Sequence, residues 1–170
     1  MKGTLRLVTL FAIVISAVSA MGQTQGNFAA SAQKAIATAP GFIYKATLSS
    51  LKKPKWQFEI AGADGMNHRI QVDAVTGSVL QNKISKLDKK APLGAPIDVV
   101  SAGLNAVAEV GEEFAENTQV MKVEVKNTKT GLRWKIQLKS LEAGDDKDNH
   151  DFDVVEDEDG EILDIIEDAG

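Results

Sequence analysis

The chain has 170 residues, 44% hydrophobic, 25% charged and 5% aromatic, with no cysteine and a formal charge of -5. This is globular composition, and it excludes wholesale disorder, a collagen-like fibre, a disulfide-stapled mini-domain and a cysteine-ligated zinc site. Residues 21–96 carry ten Lys/Arg and four acids, residues 97–170 seven and twenty, so the halves have opposite sign and nucleic acid is not an expected partner.

Lys2 and Arg6 precede an apolar run from Leu7 that ends at Val18-Ser19-Ala20. A basic start, a short apolar stretch and a small-residue end describe a secretory signal over residues 1–20, cleaved after Ala20. The run supplies 14 residues, Thr9, Ser16 and Ser19 among them, whereas a spanning helix needs ~20 apolar residues. Without a cysteine for lipidation, the expected product is a soluble periplasmic or secreted protein that begins at Met21 and has no stable membrane insertion.

Phe28, Ala32, Ala35, Ile36 and Ala39 fall on one face of a helix that Pro40-Gly41 terminates. Phe42, Tyr44, Ala46 and Leu48 read as a strand, and Trp56, Phe58 and Ile60 alternate with polar residues as a second. That period of two predicts half-buried strands with the tryptophan in the core. Turns at Ala63-Asp64-Gly65 and Thr76-Gly77 bracket a third strand, and a short fourth follows the glycine. Lys83 to Ala95, with four lysines, Pro92 and Gly94, reads as a linker.

A second helix is predicted from Ile97, Val100, Leu104, Val107 and Ala108, with Pro96 in its first turn. Met121, Val123 and Val125, then Trp134, Ile136 and Leu138, repeat the strand pattern, with turns at Lys129-Thr130-Gly131 and Asp159-Gly160. Trp56-Gln-Phe-Glu-Ile60 parallels Trp134-Lys-Ile-Gln-Leu138, and the stretch from Val72 to Leu80 parallels that from Val155 to Leu163. This alignment sets Glu156 against Asp73 and His150 against His68. The expected fold class is therefore α+β: two tandem helix-then-antiparallel-sheet repeats, residues 21–82 and 96–170, joined by the linker 83–95 and sharing one interface. Each sheet would have its own edges, placed at Thr47 in the first and Glu124 in the second.

The helix ending at Pro-Gly, the Trp-bearing strand, the Asp-Gly turn, and Val72, Asp73, Ala74, Thr76 and Gly77 before Val79-Leu80 make residues 28–82 resemble the PepSY domain, whose last strand commonly reads Val-Asp-Ala-x-Thr-Gly before two apolar residues. Residues 97–168 resemble it less, with Glu156 and Asp157 in place of the family's Asp-Ala and Asp159 in place of its Thr. The resemblance implies an exported bacterial module of the kind found in propeptides of thermolysin-like metallopeptidases, where it helps to fold and inhibit the enzyme.

No reaction centre is expected. His-Glu-x-x-His, Gly-x-Ser-x-Gly and a phosphate-cradling glycine loop are absent from the sequence. Ser31 with Lys34, and Ser49 with Lys52, fit Ser-x-x-Lys, but two fixed positions recur by chance and Ser-Asp-Asn is missing. His68 and His150 have no third His or Cys to complete a metal site and read as strand residues beside turns. Residues 145–159 hold nine carboxylates. Asp145, Asp146, Asp148, Asp151 and Asp153 are the candidate calcium ligands, outside the EF-hand pattern because Gly160 would put Val155 first in the loop. A solvated acidic loop is the commoner outcome.

No cofactor is expected. The function expected is that of an exported, non-enzymatic binding protein, a peptidase inhibitor or folding helper of the propeptide type. Its partner would be an exported peptidase or an extended peptide added to a sheet edge. The alternatives are a calcium- or cation-responsive envelope protein and a structural interaction module.

Overall fold

The computed structural model describes residues 27–113, 118–141 and 150–169. Helix α1 (Phe28–Thr38) leads into strands β1 (Gly41–Leu48), β2 (Lys55–Gly62), β3 (Met66–Asp73) and β4 (Val79–Lys86). Helix α2 (Val99–Glu113) leads into β5 (Thr118–Thr128), β6 (Gly131–Ser140), β7 (His150–Glu156) and β8 (Ile162–Ala169). All eight strands belong to one sheet in the order β4-β3-β2-β1-β5-β6-β7-β8, antiparallel at every contact.

This overturns the expectation of two helix-then-sheet repeats. Strands β1 and β5, expected to be the edges of separate sheets, pair with each other through Lys45↔Glu124, Ala46↔Val123 and Thr47↔Lys122. Thr47 and Glu124 therefore lie in the middle of the sheet. The physical reason is that two four-stranded layers, each under one short helix, would leave four open edges and two thin cores. Joining them removes two edges and makes one apolar cluster that runs from Phe28 through Ala46 and Val123 to Val154. Phe42 reaches across the seam to meet Trp134 edge-on, with ring centroids 6.4 Å apart.

Alternation along the strands sends one face to the helices. Trp56, Phe58, Ile60, Ile70 and Val72 on one half, and Val123, Val125, Trp134, Ile136, Leu138, Phe152 and Val154 on the other, are buried, as the period of two requires. On α1 the expected stripe is buried at Phe28, Ala32 and Ala35 and packs on β2 and β3. The Phe28 ring lies 4.5 Å from that of Trp56.

Helix α2 is rotated from the expected phase. Its buried positions are Val99, Ala102, Ala106 and Val110, while Val100, Leu104 and Val107 are half-buried and Ala108 is exposed. Small residues let this helix come close to the sheet: a Cβ added at Gly103 would stand 2.9 Å from Phe28 Cε1 and 3.3 Å from Val123 Cγ2. Close approach outweighed side-chain hydrophobicity in choosing the face, which a count of apolar residues does not register. The helix starts not at Pro96 but after Asp98, whose Oδ1 accepts the Val100 and Ser101 N–H groups at 2.8 Å each, an N-cap.

Strand registers also correct the internal alignment, by one residue at Val72 and by two at His68. Trp56 is opposite Val72 on β3, whereas Trp134 is opposite Glu156 on β7. Ile60 is opposite His68, and Leu138 is opposite Phe152, so Phe152 and not His150 takes the place of His68. The turn after β7 is one residue shorter than the turn after β3, and anchoring the alignment on Gly77 and Gly160 conceals that deletion. Both glycines hold positive φ, 69° and 89°, which an L side chain rarely adopts.

Candidate binding surfaces

On the face away from the helices, Tyr44 and Lys45 both emerge because the register with β2 shifts between Ile43 and Lys45, a bulge that re-aims one side chain. The Tyr44 hydroxyl lies 3.1 Å from Glu59 Oε2 and 3.0 Å from Asn67 Oδ1. Glu59 is flanked by Lys45 Nζ at 3.5 Å and Arg69 Nη2 at 3.7 Å. Partial burial, together with the Glu59 carboxylate, raises the Tyr44 phenol well above its ordinary value, so it stays a neutral donor.

The segment after β4 crosses the end of the sheet where β1 begins and is fastened at β5, where Asn127 Nδ2 donates to the Lys90 carbonyl at 3.3 Å. Between this segment and the sheet opens a groove of about 690 Å³, lined by Tyr44, Glu59 and Asn67 below and by Lys86, Lys89 and Lys90 above. Tyr44, Glu59 and Asn67 on its floor are already paired with one another or with Lys45 and Arg69.

Farther along this face Glu124 Oε2 receives Lys122 Nζ and Lys126 Nζ, each at 3.1 Å. Partial burial pushes the Glu124 carboxyl up, but the two ammonium groups outweigh it and hold the group below its ordinary value. Arg133 and Lys135 of β6 are opposite Lys126 and Glu124, and Lys135 in turn is opposite Val155 of β7.

Glu156 is the chemical exception in the core. Its side chain is fully buried (0% exposed), and neither carboxylate oxygen makes a hydrogen bond of good geometry. Burial, reinforced by the neighbouring Asp157 charge, pushes its pKa up to about 8, with the Ala106 backbone N–H acting in the opposite direction. The residue is therefore protonated at neutral pH. The Trp134 Nε1 donor, on the residue opposite, also has no partner. Sequence reasoning missed Glu156 because the misplaced register put it in the exposed turn.

Val72, Asp73, Ala74, Thr76 and Gly77 build a turn. Val72 and Ala74 are buried. Asp73 Oδ1 accepts the N–H of Val75 at 2.9 Å and of Thr76 at 2.8 Å, and Thr76 Oγ1 accepts that of Ser78 at 3.3 Å. Asn27 Nδ2 donates to the Ala74 carbonyl at 3.3 Å, which ties the start of α1 to this turn. Asp157 repeats the role of Asp73, with Oδ1 accepting from Asp159 and Glu161, both at 3.0 Å.

Of the candidate calcium ligands, Asp145, Asp146 and Asp148 lie outside the described residues. Asp151 and Asp153 are exposed on β7, facing Lys139 and Gln137 of β6. Among the described residues no three His, Asp or Glu side chains come together as a metal site. His68 is buried, its Nε2 3.0 Å from Asp64 Oδ2, and Asp64 is held below its ordinary value first by the Met66 N–H and then by His68. Ser31 is buried in α1, and Ser49 is exposed just after β1.

The sheet has two outer strands, β4 and β8. Every residue of β4 from Leu80 to Lys86 is exposed, and Leu80, Ile84, Leu163 and Ile166 are large apolar side chains left at 48%, 58%, 48% and 53% exposure. Among the described residues no helix is long and apolar enough to cross a membrane.

No family model matches the chain, and no curated protein matches it. Among solved structures it is similar to a candidate lipoprotein from Clostridium difficile 630, with 20% identity and a TM-score of 0.45 over 75% of this chain and 83% of that one.

Proposed function

We propose that this is an exported, non-enzymatic binding protein of the bacterial envelope that captures an extended peptide segment by adding it to a sheet edge. The observation that carries this reading is the pair of outer strands, β4 and β8, which end an otherwise fully paired antiparallel sheet and carry exposed apolar side chains. Such an edge offers main-chain donors and acceptors for affinity and alternating side chains for selectivity. The resemblance of residues 28–82 to PepSY propeptides supports a finer form: the segment captured belongs to a co-exported thermolysin-like peptidase, which is inhibited or helped to fold. The signal-like residues 1–20 support export.

The test is to mix the purified protein with thermolysin-like peptidase from the same culture fluid and follow hydrolysis of a peptide substrate. Slowed hydrolysis, with the chain recovered intact and the effect weakened by proline within Gln81 to Ile84, is expected. Unchanged hydrolysis and no co-purification would reject the peptidase form. No binding of any extended peptide would reject edge capture itself.

A further inference from the structure

We propose that the two edges also fit each other, so that the protein associates head to tail, β8 of one copy adding to β4 of the next. The inference rests on the reading that the edges accept strands, and it names a second copy as the occupant.

Strand direction permits it. Seven antiparallel contacts separate β4 from β8, so the two run in opposite directions. A copy translated across the sheet places its β4 antiparallel to β8 and keeps every helix on the same face, as an antiparallel ladder requires. Pairing of like edges about a two-fold axis is equally antiparallel, so direction alone does not choose between the two.

Charge chooses. Strand β4 holds Lys83 and Lys86 and no acid, and β8 holds Asp164, Glu167 and Asp168 and no base. Like edges would set like charges side by side, which disfavours both two-fold pairings, whereas β4 on β8 sets opposite charges together. The faces agree as well. Lys83 is opposite Arg69, itself opposite Glu59, which places it on the face away from the helices. Asp164 is opposite Val155, and Val155 is opposite Lys135, on that same face. A register that sets Lys83 against Asp164 brings Ile84 beside Leu163, where β8 shifts register, and both are exposed apolar residues. Lysines on an outer strand otherwise serve to repel further strands; here the other edge of the same molecule supplies their counter-charges. Because the contact is heterologous and does not close on itself, it propagates as a linear chain.

Sedimentation velocity of the purified protein over a range of concentrations tests this. The expected result is an average mass that climbs with concentration and falls at ~1 M salt, where ionic attraction is screened. Lys83→Glu and Asp164→Lys should each weaken association about tenfold or more, and the double variant should restore it, a rescue that misfolding would not give. A protein that stays monomeric, or associates equally well with either reversal, overturns the proposal. A synthetic peptide spanning residues 159–169 separates the readings: a monomer that binds it overturns self-association and leaves edge capture standing, and a monomer that ignores it counts against both.

Discussion

Trp134 lies opposite Glu156 across β6 and β7, in the relationship that Trp56 has with Val72 across β2 and β3. A hydrocarbon at one site is replaced by a carboxyl group at the other, both fully buried. Neither Glu156 oxygen makes a hydrogen bond of good geometry, the Ala106 N–H exerting only the smallest of the influences on it, and the indole N–H of Trp134 has no partner. An acid in such a place folds in its neutral form, because the charged form would lose its hydration without replacement.

This fixes the sign of a pH dependence. The folded carboxyl keeps its proton up to about 8, against an ordinary value of 4.5, so the folded state binds more protons in that window. Stability is greatest below the lower value, falls as pH rises through the window, and levels off above the upper one. Glu156→Leu should therefore be more stable than the natural protein at pH ~9 by on the order of 4 kcal/mol and much closer to it at pH ~4. Urea unfolding of both proteins at the two pH values checks this, and an equal difference at both would show the carboxyl to be solvated.

Trp56→Ala and Trp134→Ala should each cost about 3 to 5 kcal/mol, since both rings are fully buried and truncation leaves a large void. Chemical denaturation measures both. Loss from one substitution only would mean that one side of the sheet contributes little to the shared core.

Proline at Thr47 or Glu124 should destabilise the protein strongly, because these positions lie in the β1–β5 ladder at the middle of the sheet, where proline removes a ladder donor and is not accommodated. A proline scan through Gln81 to Ile84 on the outer strand should alternate between tolerated and damaging positions, as the N–H points outward or toward β3. Thermal melts of the series distinguish one eight-stranded sheet from two four-stranded ones.

Gly103→Val should destabilise by roughly 1 to 3 kcal/mol, since the added carbons meet Phe28 and Val123, from opposite sides of the seam. Gly111→Ala, where a Cβ meets nothing within 4 Å, should be neutral or slightly stabilising. Comparing the two melting temperatures isolates helix-to-sheet contact from helix propensity.

Millimolar calcium should raise the melting temperature no more than sodium at equal ionic strength, as screening of the exposed carboxylates predicts. A calcium-specific rise equivalent to ~2.7 kcal/mol, the value for a ligand at a hundredfold excess over Kd, would instead place a real site in the acidic segment.

The strands that carry Trp56 and Trp134, and the face each buries, were legible in the residues, because side chains alternate along an extended chain; in β1 a bulge turns Tyr44 away from the face that Ala46 and Leu48 share, and β4 runs on to Lys86, into the stretch read as a linker. Trp56, Phe58, Trp134 and Ile136 announced the core by that alternation alone, and Asp73 with Gly77 announced a turn, because its conformation depends on local hydrogen bonds and a positive φ. Three features were decided only by packing in three dimensions. The β1–β5 seam is a backbone pairing, and backbone edges carry no side-chain signature. The rotation of α2 follows from how closely Gly103 lets it approach Phe28, a distance set by both partners. Glu156 entered the core because the turn after it is one residue shorter, and in a strand a shift of one residue moves a side chain to the opposite face; the same glutamate placed one position later would have stood in water.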